Sequence, residues 1–173
     1  NKERLAWARP IAEKIENEVP KDLAEVYANE AVILDARQST ELKLQVIRIG
    51  DLTICTLPNE VYAVTGLKLR AQTPGQVHFN LGLANGAEGY IPPPEQHALG
   101  GYSTWPARSA GLAVHAEPKI VTTLVEALGE VTGKPPRIPA DEDGPYSKAI
   151  RQAQPRSWWR LNDIKGRIAR NAV

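Results

Sequence analysis

Apolar and polar positions alternate along this chain with two different periods, and the periods outline its elements. Between about Glu3 and Val19, the residues Leu5, Ala8, Ile11, Ala12, Ile15 and Val19 recur at three- and four-residue steps with Glu and Lys between them. That is the spacing of one helix face. Pro10 falls inside the run, and an interior proline breaks the hydrogen-bond ladder, so a helix beginning near Arg9-Pro10 is the alternative. Residues 24–37 read as a short helix followed by an extended segment. Leu42, Leu44 and Val46 alternate with Lys43 and Gln45, the period of a half-buried strand. Gly50-Asp51 then marks a hairpin, and the almost wholly apolar Leu52–Leu57 reads as a central strand.

The pattern continues with a short helix over residues 61–70, closed by Thr73-Pro74-Gly75. A strand over 77–83 follows, with Val77, Phe79, Leu81 and Leu83 on one face and His78 and Asn80 on the other. Asn85-Gly86 and Gly89 turn the backbone, Pro92-Pro93-Pro94 predicts a stiff extended loop, and Gly100-Gly101 is a second flexible point. Residues 117–128 form the clearest helix. Pro118 lies in its first turn, Ile120, Val121, Leu124, Val125 and Leu128 make its stripe, and Gly129 is its expected stop. Strands interleaved with helices predict an α/β fold, a mixed sheet flanked by helices.

After Gly133 the composition shifts. The prolines and acidic run of residues 134–146 read as a linker, and residues 147–173 as the truncated opening of a further module. The organisation expected is therefore 1–133, 134–146 and 147–173.

Composition narrows the function. The chain has 173 residues, is 42% hydrophobic and carries a net charge of +1, so its totals give no electrostatic case for nucleic acid or an anionic membrane. Cys55 is the single cysteine, which excludes an intrachain disulfide and a cysteine-based zinc site; within a central strand it reads as a buried, inert thiol. No stretch approaches the roughly 18 apolar residues of a membrane span. The sequence does not begin with Met and shows no signal peptide, and it reads as a piece of a longer protein.

The candidate chemistry clusters between Leu57 and Trp105. Glu60 follows a strand end marked by Leu57-Pro58, and Tyr90 lies in the loop behind the next strand. Both are oxygen donors on loops after strand ends, where scaffolds place chemistry. Glu60 reads either as a metal ligand or as a helix-start carboxylate that only stabilises its helix. Tyr90 reads either as a ligand or as a tyrosine closing a loop. Tyr102 and Trp105 share a Gly-rich loop and line either a substrate groove or the core edge. His78, His97 and His115 show no paired ligand spacing, and the chain has no HExxH, GxSxG, GxGxxG or phosphate-loop motif.

The run VIRIGDLTICTLPNEVYAVTGLKLR, followed by LGLANGAEGYIPPPEQHALGGYSTW, resembles the neutral/alkaline ceramidase family. The similarity covers roughly residues 46–128 and keeps the order strand, P-x-E, helix, strand, A-N-x-x-x-G-Y, G-G-Y. It implies the C-terminal part of a larger layered catalytic domain, and a zinc-dependent amidase splitting a ceramide-like lipid amide into amine and fatty acid. On this resemblance Glu60 and Tyr90 are zinc ligands and Tyr102 is a catalytic tyrosine, with two histidine ligands and a serine nucleophile upstream. Asn59 stands where the family has glycine. The tail, through Pro155, Trp158, Trp159, Arg160, Leu161 and Asp163, is similar to the first strand of a laminin-G-like module, which implies carbohydrate or protein contact. Together the two resemblances imply a secreted or cell-envelope location. A non-catalytic interaction protein on the same scaffold is the alternative, and a purely structural α/β domain is the third reading.

Overall fold

A computed structural model describes residues 2–75, 77–138 and 145–159. Residues 1–137 form one compact unit and 138–173 a second.

The first unit begins with two helices, α1 (Lys2–Ala12) and α2 (Leu23–Ala36). Pro10 sits in the last turn of α1 rather than its first, and the ladder ends two residues later. The apolar spacing continues to Val19, but Asn17 takes a left-handed φ of 53° inside a 3-10 turn over Glu16–Glu18, so no helix carries through. Helix α2 is longer than its sequence suggests. Asp22 caps it by accepting from the Glu25 amide at 2.8 Å, and the Glu25 carboxylate accepts from the Lys21 amide at 2.7 Å. These two bonds cap the first turn of α2, which runs to Ala36. The two helices meet over Ala8, Ala28 and Ala31, with Ile11 and Val32 beside them.

The mixed sheet has the order β1 (Gln45–Ile49), β2 (Leu52–Thr56), β4 (Val77–Leu81). Gly50, at φ 60°, opens the two-residue turn that pairs β1 antiparallel to β2 with Ile49 opposite Leu52. Helix α3 (Ala63–Gln72) is the crossover that makes β4 parallel to β2. One face of the sheet carries Val46, Cys55, Thr53, His78 and Asn80. It packs towards α3 and α5 (Ala116–Thr132), closing a core of Cys55, Leu57, Leu69, Ile91, Ile120, Leu124 and Leu128. Burial pushes the Cys55 thiol up to about 12, so the lone cysteine is inert. The α/β class is thus as the sequence predicts.

The two faces of β4 are as the alternation predicts, but the more polar one points inward. Register places Ile47, Ile54 and Phe79 in one row and Ile49, Leu52 and Val77 in the next. These apolar rows face outward. Ile49 is 64% exposed, Val77 54% and Phe79 43%.

Other boundaries also differ from expectation: the strand read from Leu42 begins at Gln45, and the one expected over 77–83 ends at Leu81. Glu60 lies in a two-residue strand, β3 (Glu60–Val61), ahead of α3, so the expected helix-start position is not its own. The triple proline is not wholly extended: Pro92 and Pro93 are buried, and Pro94 opens the short helix α4 (Pro94–Leu99). Helix α5 runs through Gly129 and stops at Gly133, whose φ of 67° is the left-handed cap.

In the second unit, helix α6 (Pro145–Gln152) begins within the segment read as linker, and the Arg151 guanidinium lies 5.6 Å above the Trp158 ring. The laminin-G-like signature continues through Arg160, Leu161 and Asp163, which lie outside the described residues.

Candidate functional site

The sequence after β2 runs back along the sequence after β4, and that pairing builds the site. The Leu57 amide donates to the Leu81 carbonyl at 2.9 Å, the Ala84 amide to Leu57 at 2.9 Å, and the Leu83 amide to Asn59 at 3.1 Å. The Glu88 amide reaches Pro58 at 2.8 Å, and the Glu60 amide reaches Gly89 at 3.0 Å. The parallel pair β3 and β5 (Tyr90–Ile91) follows directly, with Glu60 opposite Tyr90 and Val61 opposite Ile91. The two candidate oxygen donors are therefore register partners beyond the carboxyl ends of the parallel strands, where open α/β sheets bind ligands.

Asn59 and Gly89 explain why the register holds. Asn59 is fully buried, and its Nδ2 donates to the Glu88 carbonyl at 3.1 Å and the Gly89 carbonyl at 3.4 Å. Asn59 thus sutures the two segments. Gly89 has φ 73°, and a Cβ there would stand 2.3 Å from the Ser109 carbonyl oxygen. Only glycine fits between β5 and the 3-10 turn Arg108–Ala110.

Tyr102 comes to the same place from further along the chain. Its ring meets the Tyr90 ring edge-on, centroids 5.4 Å apart and planes at 86°. The loop carrying it is anchored by the hydrogen bond between Tyr62 Oη and the buried Ser103 Oγ, 2.6 Å long, and by Trp105 packed edge-on against Tyr27 at 5.7 Å. Trp105 therefore ties the loop to α2. Tyr62 and Ser103 were not singled out by sequence; a lone tyrosine and serine give no motif, and only the fold brings them together.

The electrostatics follow from the convergence. The Tyr90 phenol is pushed up to about 12, first by hydrogen bonding with Tyr102, then by burial, then by the charge of Glu60. Glu60 and Tyr90 thus place a carboxylate and a phenol on neighbouring strands. A carboxylate and a phenol oxygen are both competent for a hard or borderline cation. Each of the three predicted site residues, Glu60, Tyr90 and Tyr102, lies in this one cluster.

The histidines do not join them. His78 is held by Thr53 Oγ1 on Nδ1 and by Asn80 Oδ1 on Nε2, both at 3.0 Å. Burial holds its pKa below the ordinary histidine range, Arg70 lowers it further, and the bond to Asn80 opposes both. His97 lies on α4 and His115 just ahead of α5. Among the described residues there is no group of three His, Cys, Asp or Glu side chains placed to hold a metal.

A second polar cluster lies at the first turn of α5. Glu117 is 1% exposed and accepts from Thr65 Oγ1 and Lys68 Nζ, each at 2.9 Å, while Lys68 also reaches Glu95 at 3.4 Å. This lock joins α3, α4 and α5 behind the site.

Comparison with known proteins adds no relative: no family model, no curated protein and no solved structure matches the chain. Among the described residues, no helix is long and apolar enough to cross a membrane.

Proposed function

We propose that this chain is the C-terminal part of a zinc-dependent amidohydrolase resembling neutral ceramidase, acting on a ceramide-like lipid amide. The observation that carries the reading is the register pairing of Glu60 with Tyr90, with Tyr102 against the Tyr90 ring. A P-x-E carboxylate and a G-Y tyrosine, 30 positions apart in sequence, meet at the carboxyl end of a parallel sheet, which is what a shared ligand asks of them.

In this reading Glu60 and Tyr90 hold zinc through their oxygens, and two histidines upstream of Asn1 complete the four positions usual for zinc. Bound zinc supplies Lewis-acid polarisation of the amide carbonyl. Tyr90 would bind as the phenolate, and Tyr102 would donate a hydrogen bond to the oxygen that becomes negative during amide cleavage. Asn59 and Gly89 hold the two ligands in register. By resemblance the parent is secreted or held in the cell envelope.

The binding test is equilibrium dialysis of the 173-residue chain against zinc. Weak one-to-one binding that disappears in Glu60→Gln and in Tyr90→Phe supports the reading. Binding that survives both variants overturns it. The same chain should show no zinc-dependent amidase activity, because half its ligand set and its nucleophile lie upstream.

One observation favours a second reading, a non-catalytic interaction protein on the same scaffold. Both nitrogens of His78, the histidine carried by the sheet itself, are already engaged. Failure of the chain to bind zinc at all would favour this reading.

A further inference from the structure

A cavity of about 620 Å³ lies between the end of α2, the extended segment 37–44 and the start of α5. Its size is within the usual range for a small-molecule site, roughly 300–1,000 Å³. Its floor is apolar. Leu42, Leu44 and Leu112 are half-buried against the main core, and Leu34 and Ile120 complete the surface. Its rim is cationic. Arg37 and Lys119 are exposed and line the opening, and neither has a charged partner among the described residues. A third cation, Arg108, is already held by Glu30 through a 2.6 Å ion pair. Glu88 is the one carboxylate in the lining. Two free cations against one carboxylate leave a surplus suited to a single negative charge, and His115 is the remaining titratable group on the wall.

We propose that this cavity binds a single-chain carboxylate amphiphile, with its chain on the leucine floor and its head between Arg37 and Lys119. Apolar burial supplies affinity and the two cations supply orientation, the usual division in such sites. Arg37 and Lys119 less Glu88 leave one net positive charge, which a singly charged carboxylate matches more closely than a doubly charged phosphate. The proposal does not rest on the amidohydrolase reading, because neither Glu60 nor Tyr90 lines the cavity.

The test is isothermal titration of the 173-residue chain with dodecanoate below its micelle concentration. Acetate and dodecyltrimethylammonium serve as comparison probes. Saturable one-to-one binding of dodecanoate, with none of acetate or of the cationic amphiphile, is the expected result. The double variant Arg37→Glu/Lys119→Glu, at two exposed positions, should weaken dodecanoate at least about tenfold while its circular dichroism is unchanged. Ile49→Lys/Phe79→Lys, on the outward sheet face, should leave binding intact and so separates the cavity from that apolar surface. Glu60→Gln should also leave it intact. The proposal is overturned by absent or unsaturable binding, by equal uptake of the cationic amphiphile, by an undiminished charge-reversal variant, or by loss of binding in the sheet-face variant.

Discussion

Glu60 and Tyr90 are register partners across the parallel pair β3–β5, and the Glu60 amide donates to the carbonyl of Gly89, the residue before Tyr90. Backbone pairing, rather than side-chain attraction, sets their separation. The fold thus brings the carboxylate and the phenol onto neighbouring strands.

The raised pKa of Tyr90 makes stability fall at alkaline pH. The Tyr90 phenol is pushed from its ordinary value near 10 up to about 12 by Tyr102, burial and Glu60 in that order. The unfolded chain therefore loses this proton first. Tyr90 contributes stability that is complete below pH about 10 and lost as the pH rises towards about 12. Denaturant titrations across that window should show the fall in wild type and a smaller one in Tyr90→Phe. The Tyr90 titration midpoint should drop most in Tyr102→Phe and less in Glu60→Gln.

Glu30 predicts the opposite limb. Its hydrogen bond with Arg108 holds its carboxyl below the ordinary range of about 4.5. The stability it contributes is present above that value and lost as the pH falls through the folded pKa. Glu30→Gln should flatten the acid limb of a stability–pH curve and leave the alkaline limb unchanged.

Gly89→Ala tests the register directly. The added Cβ would meet the Ser109 backbone at 2.3 Å at a residue with φ 73°. A loss of more than about 1 kcal/mol is expected from the backbone conformation alone. The shift of β5 should also bring the Tyr90 pKa back towards an ordinary tyrosine value. Asn59→Ala should act in the same direction, since it leaves the Glu88 and Gly89 carbonyls without their side-chain donor.

The inward and outward faces of the sheet can be separated by two substitutions. Leu69 is fully buried in the main core, and Leu69→Ala should cost about 2–5 kcal/mol in denaturant melts. Ile49, 64% exposed on the outward face, should accept lysine within about 0.5 kcal/mol. Equal costs at the two positions would mean that the outward face is covered in solution.

Much of this arrangement is legible in the chain. The hairpin at Gly50-Asp51, the central strand over 52–56 and the amphipathic α5 all follow from local pattern, because each depends on neighbours in sequence. Glu60 and Tyr90 stand out as oxygen donors by their places after strand ends, while the catalytic role of Tyr102 comes from the resemblance to ceramidases. What the pattern could not give is which face of β4 is buried. Alternation fixes that Val77 and Phe79 oppose His78 and Asn80, but α3 and α5 choose the side, and they cover the more polar one. The Tyr62–Ser103 bond and the Glu117 lock join residues 41 and 52 positions apart, so no local signal marks them. Gly129 reads as a helix stop because glycine commonly is one. The left-handed cap falls at Gly133 instead, and an interior glycine costs the helix only about 1 kcal/mol.

The most direct test of the central claim, that Glu60 and Tyr90 are two ligands of one metal, is the tyrosinate ultraviolet band of the chain during a zinc titration at a fixed pH below 10. Zinc should release one phenolic proton in wild type, Tyr90→Phe should abolish the signal, and Glu60→Gln should shift it to much higher zinc. A Tyr90 phenol that keeps its proton at every zinc concentration at which the chain stays folded would contradict that claim.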